Sequence, residues 1–449
     1  MSRNPRASML KTLVVLLAAV ALAACSDADK TATQSTSSKP EATIDLEQVA
    51  GQYVRIVLEG GQHDAALVDA YYGPEEWQQA ASQDPRSLAE LIAAAEALRG
   101  SLQSINAVKA DEQARQRYLD KQLRAVATRL RMVSGETFDF DRETALIYDS
   151  VAPRHDVEFF ETALAEIDAL LPGDAPLADR VETFRQQFVI PPEKLDAVFM
   201  AAMEACKERT VANMSLPEGE SFVVEYVDDK PWSGYNWYQG GAHSLIQVNT
   251  DLPIFIDRAV DLGCHEGYPG HHTYNALLEA ELVEKRGWVE FSVYALYSPQ
   301  SLIAEGSANY GIEMAFPGRK RFEFERDVLM PIAGLPMEKA EQYWELRQLL
   351  KKLTYAGVEA ARRYIGDEGV EKFSREEAEA FLVEYSLSSP ERAAQRIRFF
   401  DAYGGYVINY NHGRDLVAEY VRTNADNEQQ RWQVFSELLG SPKLPADLR

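Results

Sequence analysis

The sequence predicts a mainly α fold: a large multi-helix body with a small β-hairpin or sheet set beside the helix that carries the chemistry. Three observations lead there. Apolar residues recur at helical spacing through most of the chain, as in Leu88-Leu91-Ile92-Ala95-Leu98 and Leu119-Leu123-Val126-Leu130. Runs rich in β-branched and aromatic residues are confined to the stretch between Ser221 and Thr250. No Pro/Gly/Ser-rich linker interrupts residues 44–449, so one helical domain is expected there, although the length exceeds that of a usual domain.

In chain order, the first element is an export signal. Arg3, Arg6 and Lys11 make a basic leader, Leu13 to Leu22 a short apolar core, and Leu22-Ala23-Ala24-Cys25 the small-residue box that precedes a lipidated cysteine. The apolar run is too short to span a membrane comfortably. Residues 1–24 are expected to be removed and Cys25 acylated, leaving 25–43 as a Ser/Thr/Lys-rich tether with little to bury. That places the protein in the bacterial cell envelope, facing the periplasm and joined to the membrane by its lipid. Ser26 rather than Asp beside the cysteine points to the outer membrane by analogy with bacterial sorting.

Composition excludes one class of partner. The formal charge is -24, and loss of the leader, with three basic residues and no acidic ones, takes it to -27. A chain so acidic repels polyphosphate, and no nucleic-acid partner is expected.

Residues 44–215 read as a scaffold of successive amphipathic helices with boundaries near Asp84-Pro85, Pro172-Gly173 and Pro191-Pro192. Residues 216–449 carry the chemistry. Phe222 to Val227 and Ser244 to Asn249 read as strands, separated by the aromatic and glycine segment Trp232 to Gly241. Aromatics there suit either an edge strand that holds an extended peptide or a minor core. Helix resumes beyond Asp251 and Pro253, with further starts at Ser298-Pro299, at Pro336 for a long helix through Leu350 toward Arg362, and at Ser389-Pro390.

The most informative stretch is His265-Glu266-Gly267-Tyr268-Pro269-Gly270-His271-His272, which holds three of the seven histidines. A histidine followed by glutamate is how zinc hydrolases set a metal ligand beside the general base. The spacing is longer than in H-E-x-x-H, because the second histidine comes at His271 or His272. Pro269 and Gly270 allow the helix to deform locally until His271 regains the face of His265, and His271 is the expected ligand. The third ligand is expected from Leu302 to Tyr310, an apolar helix whose one isolated carboxylate is Glu305. Two histidines and a glutamate form a catalytic zinc set with an open fourth position. Cys264 falls on another helix face and reads as a small buried hydrophobe. It and Cys206 can pair in an oxidising periplasm, though spacing does not decide the matter.

These motifs resemble a large bacterial family known only as domain of unknown function eight-eight-five, many of whose members are lipoproteins. H-E-x-x-P-G-H-H followed by E-G-x-A-x-Y carries the resemblance. Ala361-Arg362-Arg363, Gly366-Asp367-Glu368-Gly369, Ser374-Arg375-Glu376-Glu377-Ala378 and Tyr410-Asn411-His412-Gly413-Arg414 follow the family's order and extend it over residues 44–449, weakly in the first half. The resemblance implies a gluzincin-like fold, related to carboxypeptidase Taq and the thimet oligopeptidase group. It implies zinc on His265, His271 and Glu305, Glu266 as general base and Tyr410 as oxyanion donor. The chain departs from the family at Ser307 (usually Trp), Glu371 (His), Gly404 (Pro) and Tyr406 (Gln), so the family's specificity is not carried over.

The expected activity is therefore zinc-dependent hydrolysis of a peptide substrate. His243 and His412 stand behind Tyr410 as donors, and Arg414, one turn beyond Tyr410, as a ligand for a substrate carboxylate or as the partner of an acidic neighbour. Hydrolysis of another amide or an ester, and a non-catalytic lipoprotein that binds a partner, are the alternatives.

Overall fold

The computed structural model describes residues 44–230 and 232–449; Cys25 and the expected signal and tether lie outside them. The fold is mainly α, as the periodicity predicts. The first helix, Leu46–Gly60, is fixed at its start by a reciprocal cap: Asp45 accepts from Gln48 N at 2.8 Å while the Gln48 side chain accepts from Asp45 N at 3.1 Å. Ser87 and Glu90 cap Leu88–Leu102 in the same way. That helix buries Leu91, Ala95, Leu98 and Leu102 against Leu119, Leu123, Val126 and Leu130 of Ala110–Val133. Helices end or begin at each of the three expected boundaries, after Gln83 and Leu170 and before Leu195. No helix among the described residues is long and apolar enough to cross a membrane.

Two small sheets flank the centre. Strands β1 (Val68–Tyr71) and β5 (Val293–Ala295) pair antiparallel across about half the chain, a pairing the sequence does not announce. Strands β2 (Ser221–Val227), β3 (Gly234–Gly240) and β4 (His243–Asn249) form the expected sheet in the order β2-β4-β3. The two strands predicted from β-branched residues are parallel neighbours, and the aromatic segment between them is itself the third strand, antiparallel to β4. Gly240, Gly241 and Ala242 make that hairpin turn with φ of 80°, 62° and 54°.

Two expected helix starts shift. Asp251 accepts from Asp229 N and Lys230 N and so closes a turn of the sheet, and the helix begins at Ile256. The long helix expected from Pro336 begins at Ala340 and breaks after Leu353, where Thr354 Oγ1 donates back to Lys351 O at 2.7 Å; a second helix runs Ala356–Ile365.

Ion pairs anchor the central helix from below. Asp257 and Asp261 of Ile256–Leu262 meet Arg347 at 3.3 Å and Arg321 at 2.7 Å, and Glu325 pairs with both arginines. Each charge is paired, which is what its burial requires.

Candidate metal centre

The chain does not carry His265 and His271 on one deformed helix. Ile256–Leu262 continues as a wide turn over Gly263–Gly267, the backbone then breaks at Tyr268, the cis Tyr268-Pro269 bond and Gly270, and a new helix runs His271–Leu278. The two extra residues are absorbed by a reversal. Gly270 makes it possible, since a Cβ there would lie 1.8 Å from His265 O, and its N–H donates to Cys264 O at 3.0 Å.

A second close approach brings in the third carboxylate. Helix Pro299–Ala315, capped at Ser298 with Pro299 in its first turn, crosses helix Ile408–Thr423 backbone to backbone. A Cβ on Gly306 would lie 2.5 Å from Gly413, and one on Gly413 would lie 2.7 Å from Leu302 O. Glu305 adjoins the first glycine, and Tyr410 stands one turn before the second. The crossing brings them to one place.

Three lone pairs converge there. His265 Nε2 and His271 Nε2 are 3.1 Å apart, and Glu305 Oε2 lies 3.3 Å from the first and 3.8 Å from the second. The edge of a tetrahedron with bonds of 2.0–2.1 Å is about 3.3–3.4 Å, so the three atoms fit three corners of a zinc site. Glu305 Oε2 is buried facing the two imidazole nitrogens, whereas Oε1 accepts from Tyr406 OH at 2.8 Å. A buried carboxylate needs a balancing positive charge, which a protonated imidazole or a metal cation can supply. The surrounding charge agrees. Burial draws the His271 pKa down, but Glu305, Glu266 and Asp69 outweigh it and raise it to about 9. Burial opposes ionisation of Glu305, and the two imidazoles hold its carboxyl well below the usual range.

His272 faces away from this group. Its Nδ1 meets Ser244 Oγ at 2.8 Å and its Nε2 meets Glu220 Oε2 at 3.0 Å, while Lys207 holds the other Glu220 oxygen at 2.8 Å. Adjacent histidines thus face different partners, one toward His265 and Glu305 and one tied to the sheet. Cys206 and Cys264 form a disulfide, with Cα atoms 5.5 Å apart, that fastens helix Leu195–Val211 to the residue before His265.

Glu266 is buried beside β3. Its backbone carbonyl accepts from Asn236 Nδ2 at 2.7 Å, and a Cβ on Gly234 would lie 2.8 Å from its Oε1, so that glycine leaves room for the carboxylate. Tyr410 stacks edge-on to Tyr406 with ring centres 5.8 Å apart. Burial first, then the Glu305 charge, push its phenol well above the ordinary value and keep its proton in place.

The other expected residues stand apart from the ligands. His243 Nδ1 meets Ser221 Oγ at 3.0 Å where β4 begins. His412 is buried against Ser150 Oγ at 2.7 Å, and burial followed by the Arg449 charge lowers its pKa to about 4. Arg414 is occupied by Asp415 and by Tyr355 OH, each at 2.7 Å. None of the three forms a hydrogen bond or ion pair with His265, Glu266, His271 or Glu305 among the described residues.

Two participants escape sequence reasoning. Asp69 of β1 accepts from Tyr235 OH at 3.1 Å; burial raises its pKa to about 6, with Glu305 and Glu266 adding to the rise while Tyr235 and His271 oppose it. Nothing around Asp69 in sequence marks it. Tyr406 is signalled only by the departure from the family's glutamine.

No known family profile and no curated protein matches the chain. Among solved structures it is similar to "the putative lipoprotein from Colwellia psychrerythraea", with a TM-score of 0.48 and 12% identity over 88% of this chain and 76% of that one. At that distance the likeness says nothing of chemistry.

Proposed function

We propose that the protein is a zinc-dependent peptidase of the bacterial cell envelope, tethered by a lipid on Cys25 and related to the family and gluzincins named above. The convergence of His265, His271 and Glu305 on one point, at the spacing of three tetrahedral ligands, carries this reading. When bound, zinc polarises the scissile carbonyl and lets a water lose its proton near neutrality. Glu266 accepts that proton and returns it to the leaving nitrogen. Tyr410, protonated and without a hydrogen-bond partner among the described residues, donates to the carbonyl oxygen as its charge develops. Strand β3 is the sheet edge beside Glu266, a place for an extended substrate to add by main-chain hydrogen bonds. The disulfide supports export to an oxidising compartment.

The test is metal content together with cleavage of a mixed peptide pool, with and without chelator, products being read by mass spectrometry. About one zinc per chain and chelator-sensitive cleavage are expected. Zinc with cleavage only of esters or non-peptide amides would replace the substrate class. A protein that never binds zinc would return the non-catalytic reading.

A further inference from the structure

Most deeply placed arginines of this protein have an acid partner. Arg115 pairs with Glu290, Arg321 with Asp261, Arg347 with Asp257, Arg362 with Glu359 and Arg414 with Asp415. Arg396 does not. It lies on helix Pro390–Tyr403, on the face it shares with Phe399 and Tyr403 one and two turns later. Its guanidinium carbon sits 4.9 Å from the Phe399 ring centre and 5.5 Å from that of Phe400. Among the described residues it forms no ion pair and no side-chain hydrogen bond.

The position connects it to the metal-ligating group. Phe399 lies 6.3 Å from the Tyr410 ring, Tyr410 lies 5.8 Å from Tyr406, and Tyr406 donates to Glu305. A run of ring contacts through Phe399, Tyr410 and Tyr406 thus links the unneutralised guanidinium to Glu305. A partly buried cation without a counter-ion is an unfavourable arrangement for the free protein. Its planar fork of donors matches a carboxylate in two parallel hydrogen bonds.

We propose that Arg396 binds a carboxylate of the substrate on the Tyr410 side of the scissile bond. This rests on the peptidase reading and gives it a substrate class: peptides whose leaving portion carries a free C-terminal carboxylate or an acidic side chain. The role expected of Arg414, which Asp415 and Tyr355 already occupy, passes to Arg396.

Four versions of one short peptide distinguish the sources: C-terminal acid or amide, each with Glu or Gln as the last residue. Binding is measured by calorimetry on zinc-loaded Glu266→Gln protein, and kcat/KM on the wild-type chain. If the C-terminal carboxylate is held, the acids outperform the amides by roughly 10- to 100-fold, the worth of hydrogen bonds to a charged group. If the side chain is held, Glu outperforms Gln by that factor in acid and amide alike. Either preference should fall toward one in Arg396→Gln and in Arg396→Met, which keeps the aliphatic contact with Phe399, at unchanged zinc content. No preference in the wild type, or a preference that survives in both variants, overturns the proposal. Because binding is read as heat, absence of turnover would count against the peptidase reading alone.

Discussion

The corner that gathers His265, His271 and Glu305 and the wall that carries Tyr410 and Arg396 are built in opposite ways. The corner is over-determined. Gly270 and Gly306 press backbone on backbone, a disulfide fastens the residue before His265, and Tyr406 fixes one oxygen of Glu305. Glu305 Oε2 faces the nitrogens of His265 and His271. The wall has open valences: neither the Tyr410 hydroxyl nor the Arg396 guanidinium has a hydrogen-bond partner among the described residues. A metal site needs donors fixed to a few tenths of an ångström before the ion arrives, whereas groups that meet substrate must still be free to meet it. On this comparison, changes in the corner move metal affinity and changes in the wall move turnover or substrate preference.

The largest effect is expected from the ligands. His265→Ala, His271→Ala and Glu305→Ala should each abolish stoichiometric zinc, measured by elemental analysis on protein never exposed to chelator. His272→Ala should retain it, since His272 is bonded to Ser244 and Glu220. Zinc unchanged in all three ligand variants would break the comparison at its root, and loss only in His272→Ala would reverse the choice between the adjacent histidines.

Next comes the base. Glu266→Gln keeps shape but cannot accept a proton, so hydrolysis should fall by several orders of magnitude with zinc and fold intact. Wild-type cleavage by a zinc-loaded Glu266→Gln protein would remove the mechanism. Tyr410→Phe belongs to the wall and should lose about a hundredfold in kcat, the scale of one missing oxyanion donor, at wild-type zinc content. Loss of zinc in this variant would place Tyr410 in the corner instead.

How much of this was legible in the sequence follows the same division. The three side chains that converge were readable because their signals are local: a histidine beside a glutamate, and a lone carboxylate in an apolar helix. Helical periodicity gave the scaffold for a similar reason, because each face of Leu88–Leu102 or Ala110–Val133 is recorded in its own residues. What failed depends on contacts between distant segments. β1 and β5 are too short to have a pattern of their own, and Asp69 reaches the site only because they pair. The reversal at Tyr268 to Gly270 was anticipated as a bulge because a proline and a glycine permit both. The choice is made by Gly270 packing on His265 O, a contact that spacing alone does not disclose. Arg414 read as a ligand for a substrate carboxylate or as the partner of an acidic neighbour; the structure gives it that neighbour, Asp415, and adds Tyr355 from the turn before Ala356–Ile365.

The smallest predicted effect sharpens the comparison most, because it sets two tyrosines one helical turn apart against each other. Tyr406, itself buried, donates to Glu305 Oε1 at 2.8 Å, so it orients the carboxylate and turns Oε2 toward the proposed metal. A hydrogen bond to a metal ligand of this kind is worth roughly ten- to a hundredfold in metal affinity. Tyr406→Phe removes the hydroxyl and little volume. It should weaken zinc binding by about tenfold or more in a chelator competition, and lower turnover only through lost metal, so that saturating zinc restores most of it. Tyr406→Gln should recover part of the affinity, because an amide N–H can donate to the same oxygen. The contrast with Tyr410→Phe is the decisive reading: one variant should respond to added zinc and the other should not. If Tyr406→Phe binds zinc like the wild type yet stays slow at saturating metal, Tyr406 acts on the reacting groups, and the boundary between corner and wall must be drawn on the other side of it.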